Sequence, residues 1–144
     1  MQTETAILAP AAVLAGWSMI VFLWMLARRM AGFNKLGAKL SEFPAGARGA
    51  DGEANMPPKA NWASHNYTHL MEQPTVFYPV VIMLALIGDN SSLSINLAWG
   101  YAGIRALHSL WQLNVNTIPV RFALFGASTV CLLVLAARLV MAAV

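Results

Sequence analysis

An all-α integral membrane protein, a bundle of four spanning helices, is what this sequence predicts. Three observations point there. The 144 residues are 58% hydrophobic and only 10% charged, against about 25% charged in ordinary soluble domains. Apolar runs of membrane-spanning length recur along the chain, separated by short polar turns. The cationic charge is concentrated: six of the nine Lys and Arg lie between Arg28 and Lys59. Together these imply one membrane domain over residues 1–144, with spans at about 7–28, 62–88, 93–114 and 118–140 and a loop at about 31–61. The net charge of +3 is too small to suggest a nucleic-acid partner. A single cysteine, Cys131, excludes an intrachain disulfide and reads as a buried, inert thiol.

The first span opens at Ile7. From there to Ala27 no charge interrupts 21 residues, enough to cross ~30 Å of hydrocarbon at ~1.5 Å per residue. Pro10 falls near its start, where a missing N–H costs little. Met1 to Glu4 lacks the positive n-region of a cleavable signal, and Arg28 and Arg29 follow the run instead of preceding it. The expectation is a retained span with its N-terminus outside. Trp17 and Trp24, on one face at i and i+7, are read as packing or lipid-contact residues.

The loop carries glycines and prolines, four cations beyond Arg29 and the acids Glu42, Asp51 and Glu53. No strand precedes its glycines and no GKS or GKT follows them, which excludes a phosphate loop. Lys35 to Phe43 is expected to form a short interfacial helix, with Leu36, Leu40 and Phe43 on one face.

The second span begins WASHNYTHLMEQPTVFY and is polar before it becomes apolar. On a continuous helix His65, His69 and Glu72 share one face at i, i+4 and i+7. Pro74 withdraws a hydrogen bond from the carbonyl of Leu70, so a bend near Pro74 and Pro79 is expected. The third span follows the turn Asp89 to Ser92 and presents Arg105, His108 and Gln112 on one face. In the fourth, Thr117 is the N-cap candidate, Pro119 lies in the first turn, and Arg121 follows. By the Lys and Arg bias, loops one and three are cytoplasmic and both termini lie outside.

An ionisable group at membrane depth marks function or a buried pair. Glu72 falls ~16 Å into its span and Arg105 ~13 Å from the same face, at ~1.5 Å per residue. Glu72, Arg105, His108 and Arg121 therefore gather in the cytoplasmic half, and Glu72 is expected to pair with Arg105 or Arg121, in its own or a neighbouring subunit. Arg121 is then left over. A guanidinium in such a place binds carboxylates and favours a thiolate. A tripeptide thiol such as glutathione offers both, and a lipophilic electrophile would arrive from the bilayer. His65, His69 and Glu72, with His108, also have helix-face spacing for a metal; without an HExxH motif the reading is no metal.

These residues carry a resemblance. RALHS at Arg105 to Ser109, IPVR at Ile118 to Arg121, and Glu72 followed by Pro74 and Phe77 resemble the MAPEG superfamily, the membrane-associated proteins of eicosanoid and glutathione metabolism. The Arg-x-x-His segment is similar to that of the microsomal glutathione transferase and prostaglandin E synthase branch. The resemblance implies a homotrimer with sites between subunits, glutathione as co-substrate and a lipophilic second substrate. It implies Arg121 as the catalytic residue beside the thiol, and His65, His69, Glu72, Arg105 and His108 as glutathione-binding residues. The family's helix-two motif reads Arg-x-x-x-Asn-x-x-Glu; here His65 and His69 hold the Arg and Asn positions, with Asn66 nearby. Gln112 stands where a tyrosine is common, and Phe122 where one branch has serine. Those departures favour the alternative, a non-catalytic lipid- or partner-binding member of the same fold.

Overall fold

The computed structural model describes residues 5–37 and 39–144. Helices account for the architecture, and no strand occurs among the described residues. They are α1 (Leu8–Leu36), α2 (Pro58–Met71), α3 (Pro74–Leu86), α4 (Ser92–Asn114) and α5 (Ile118–Ala143). Two of them, α1 and α5, are long and apolar enough to cross a membrane. The expected second span is two helices, not one, because the chain leaves helical geometry at Glu72 (φ −88°, ψ −95°) before Pro74 opens α3. A proline at a first helical position has no N–H to lose and is preorganised for the new helix. Pro79 is held inside α3.

α1 continues past Arg28 to Leu36 and stops at Gly37, whose φ of 64° is the left-handed conformation glycine adopts without strain. Leu40–Glu42 is a separate 3₁₀ turn. The interfacial helix expected from Lys35 to Phe43 is therefore not formed: Lys35 and Leu36 belong to α1. Ala38 and the side chain of Leu40 lie outside the described residues, as does the reading of Met1 to Glu4. A second 3₁₀ segment, Gly49–Asn55, leads to α2. It packs close to α1 because Gly32 has no side chain; a Cβ there would lie 2.8 Å from Met56 Sδ.

α4 packs most extensively on α5 and α1 on α2; α2 also touches α4, and α3 touches α1 and α5. Leu14, Val21, Leu70, Phe77, Leu84, Tyr101 and Leu135 make the core. Phe77 stacks on Tyr101 with ring centroids 4.2 Å apart. Cys131, expected buried, is half-buried and unpaired, in van der Waals reach of Gly100. Outward apolar side chains run along α1 (Met19, Ile20, Leu23) and α5 (Phe122, Val130, Leu133). An apolar exterior of that extent suits lipid better than water.

At the far end, the α3–α4 turn is clamped to α5. Arg138 donates to Ser94 Oγ at 2.8 Å, and its Nη2 lies 3.2 Å from Asp89 Oδ2. Burial pushes the Asp89 carboxyl up, but hydrogen bonds from Ser94, Ser91 and Arg138 outweigh it and hold the carboxyl down at about 2.

Candidate functional site

The break between α2 and α3 organises the site. In a continuous helix the carbonyl of His69 would receive the N–H of Gln73; the turn at Glu72 withdraws that donor. Arg105, on α4, supplies another: its Nη2 donates to His69 O at 2.7 Å. The guanidinium sits 1% exposed at the C-terminal end of α2, where helix carbonyls concentrate negative potential. It lies 5.5 Å from the centroid of Phe125 and 6.0 Å from that of Tyr101, a cation–π arrangement that offsets part of its desolvation. Its Nε and Nη1 have no partner among the described residues. The side chain of Gln73 spans the same break: Tyr101 donates to its Oε1 at 3.3 Å, and its Nε2 donates to Thr129 on α5 at 2.9 Å.

Beside this joint a cleft of about 350 Å³ is lined by His69, His108, Ile118, Arg121, Phe122 and Phe125. Arg121 enters it from the first turn of α5. Its Nη1 donates to Asn116 Oδ1 at 2.9 Å. Asn116 adopts φ 60°, a conformation asparagine tolerates better than most residues. Thr117 is the N-cap residue, as read from the sequence, but its hydroxyl accepts from Trp111 Nε1 instead of capping the helix.

Arg121 Nη2 lies 3.4 Å from His69 Nε2. Arginine has only donors, so Nε2 must accept and the imidazole proton sits on Nδ1. That nitrogen is 3.1 Å from Glu72 Oε2, without hydrogen-bond alignment. The His69 and His108 rings meet edge to face, centroids 5.6 Å apart. Arg121 Nε is buried and unpartnered. The arrangement therefore offers a fixed cation, two imidazoles and a phenylalanine wall, in a cleft that opens where Phe122 is 76% exposed.

Of the six residues singled out by sequence, His69, His108 and Arg121 line this cleft, and Arg105 stands behind it on the backbone of His69. The expected pairing of Glu72 with Arg105 or Arg121 is not made within the chain. Glu72 ends α2 with its carboxylate 57% exposed and 3.1 Å from His69 Nδ1. His65 and His69 share a face of α2 as expected, and Glu72, at its C-cap, reaches back to His69.

His65 joins a different cluster. Its Nε2 is 3.3 Å from Glu53 Oε2, while Glu53 Oε1 accepts from Ser64 at 2.6 Å and Arg29 at 2.8 Å. Burial raises the Glu53 carboxyl, but those hydrogen bonds prevail and hold it below the ordinary range. The cluster ties the loop to α1 and α2. Asn66 is fully buried, and its amide donates to Ser109 Oγ at 2.7 Å. It is committed to the α2–α4 contact.

Sequence reasoning missed Gln73, Thr129, Asn116 and the Glu53 cluster. Only Asn116 carried a local signal, as a turn asparagine three residues before a proline.

Against known proteins, the model of the MAPEG family matches residues 7–141. No curated protein and no solved structure matches the chain significantly. A match over nearly the whole length establishes that the chain belongs to the MAPEG family.

Proposed function

We propose that this MAPEG-family membrane protein is a glutathione-dependent transferase or peroxidase acting on lipophilic electrophiles, in the manner of the microsomal glutathione transferase and prostaglandin E synthase branch. One observation carries the reading: Arg121 stands in an apolar-walled cleft with no carboxylate partner among the described residues and a buried Nε without a partner there. An uncompensated guanidinium there favours an anion, and a thiolate is the anion that makes this geometry useful.

Glutathione supplies the nucleophilic sulfur. Arg121 holds that sulfur as thiolate and is itself held by Asn116. His69 and His108 border the thiol end, and Phe122 and Phe125 give an electrophile an apolar approach from the bilayer side. Water is kept from the back of the cleft by the joint around Arg105, Gln73 and Tyr101. Glu72, exposed beside His69, is available to the peptide's amine or to a neighbouring subunit. A homotrimer would close the open side of the cleft, and the outward apolar face of α5 supports such a neighbour. In the bilayer, loop one faces the cytoplasm and both termini lie outside, from the Lys and Arg bias.

Two observations favour the second reading, a non-catalytic lipid- or partner-binding member. His65 is engaged by Glu53, and Asn66 is spent on Ser109, so fewer groups remain to hold a peptide. A glutathione titration of detergent-solubilised wild type and Arg121→Ala decides between them. The enzyme reading requires a saturable isotherm and an ultraviolet thiolate band in wild type at neutral pH, with the band lost at that pH in the variant. Absence of both in wild type would leave the non-catalytic reading.

A further inference from the structure

The loop's charges are unevenly spent. Glu53 is taken by Arg29 and Ser64. Asp51 accepts the backbone N–H of Arg48, and Glu42 that of Lys39. All three acids of the loop are thus committed locally. Arg28, Lys35 and Lys59 have no acidic partner among the described residues. The fold brings these three cations around one cleft of about 200 Å³ between the end of α1 and the start of α2. Arg28, Ala31, Gly32 and Lys35 follow one another on one face of α1, at i, i+3, i+4 and i+7. Lys59 and Ala60 close the cleft from α2, and no carboxylate lines it.

Its depth identifies the occupant. The charge-free run of α1 ends at Ala27, so Arg28 stands at the edge of the hydrocarbon. Lys35, seven residues on, is ~10 Å farther along the axis. That interval is the zone of lipid phosphates. Lys59 lies 5.5 Å from the ring centroid of Trp62, an aromatic at the level where such rings anchor to head groups. One and two turns below Arg28 come Trp24 and Ile20, the latter 54% exposed, an apolar track for an acyl chain.

We propose that the cleft between α1 and α2 is a head-group site for an anionic phospholipid, its phosphate held by Arg28, Lys35 and Lys59. The proposal rests on the membrane-embedded reading of the chain and is independent of any glutathione chemistry. Recognition is by charge and depth together. A zwitterionic head group brings its own cation to the cleft and is disfavoured; a soluble anion has no reason to prefer a cleft at the hydrocarbon edge.

The test uses the full chain in nanodiscs of phosphatidylcholine alone or mixed with phosphatidylglycerol, followed by native mass spectrometry of the lipids retained. Wild type should retain phosphatidylglycerol in preference to phosphatidylcholine. Arg28→Gln/Lys35→Gln/Lys59→Gln should lower that preference by about fivefold for each cation removed. Lys39→Gln/Arg48→Gln, which removes loop charge outside the cleft, should leave it unchanged. Helical circular dichroism of each variant confirms that the fold is kept; all five positions are exposed. No lipid preference in wild type, or equal loss in both variants, would overturn the site. So would displacement of the lipid by inorganic phosphate, which would make the cleft a free-anion pocket. Failure of the chain to co-elute with the discs would overturn the membrane reading itself; co-elution without preference overturns only the head-group site.

Discussion

Arg105 donates from Nη2 to the backbone carbonyl of His69 at 2.7 Å, and through that bond α4 supports the broken end of α2. The guanidinium is buried with two donors unsatisfied, so its net contribution is a contest. Replacing a buried charge by an apolar side chain of similar volume is often neutral or stabilising. Here the replacement also strands a helix-end carbonyl, which costs about 1–3 kcal/mol, and forfeits two aromatic contacts. The second effect should win. Arg105→Met is expected to lower the melting temperature in detergent, and Arg105→Lys to lower it less. A Met variant as stable as wild type would mean the carbonyl is satisfied otherwise.

Asp89 and Arg138 make a second prediction, at the opposite end of the bundle. The Asp89 carboxyl is held at about 2 against an ordinary value of 3.8. A depressed carboxylate contributes stability above its unfolded pKa and loses it as pH falls through the folded value. That contribution is about 2 kcal/mol at neutral pH. Asp89→Asn should therefore be less stable than wild type at pH 7, and the two melting curves should converge as the pH approaches 2. A constant difference across that window would show that the carboxylate's charge is not what Arg138, Ser91 and Ser94 hold.

Orientation gives a third. With six of nine cations between Arg28 and Lys59, loop one is expected in the cytoplasm and both termini outside. A reporter active only in the cytoplasm, fused after Val144, should stay dark, and the same reporter inserted near Ala45 should be active. The reverse pattern would overturn the orientation and move the candidate cleft to the other membrane face.

How much of this was legible in the sequence depends on range. The spacing of His108 and Arg121 placed them together because both are set by helix periodicity across one short turn. Pro74 announced the interruption of α2 because proline acts on its own backbone. That Glu72 would end α2 with its carboxylate exposed beside His69, paired with neither arginine, was not legible, because it depends on how α2 packs against α4 and α5. Nor was the partner of Arg105, since a side-chain pattern cannot show a bond to a backbone carbonyl. The Glu53 cluster joins Arg29, Ser64 and His65 across separations of 24, 11 and 12 residues, and a loop closure of that kind leaves no periodic trace.

Asn116 carries a fourth prediction. Its Oδ1 accepts from Arg121 Nη1 at 2.9 Å from a left-handed backbone. Asn116→Gly keeps the backbone conformation and removes only the acceptor. If the side chain positions the guanidinium, the variant should fold normally, bind glutathione with little change, and show a weaker thiolate band at a given pH. Asn116→Asp keeps an acceptor but gives Arg121 a carboxylate partner that competes with the thiolate, so it should not restore the band. Unchanged bands in all three proteins would reduce Asn116 to a turn residue.

The fifth prediction concerns Arg121 itself. An opposite charge within ~4–6 Å lowers a group's pKa by about 1–3 units, because it favours the charged form. Bound thiol beside Arg121 should therefore titrate below free thiol. Removing the guanidinium should raise the midpoint of the thiolate band by about that amount. Arg121→Lys keeps a cation but not the fork that engages Asn116 and His69, so it should fall between wild type and Arg121→Ala. Turnover in wild type should rise with pH up to the bound thiol's midpoint and then level off, since only the thiolate reacts. In Arg121→Ala the rise should continue to higher pH, with the plateau displaced by the same interval as the spectroscopic midpoint. The coincidence of the two shifts is the decisive feature. If the band moves and turnover does not, the thiolate at Arg121 is bound but is not the reacting species. If turnover falls equally at every pH while the band stays in place, Arg121 acts on the electrophile instead of the sulfur.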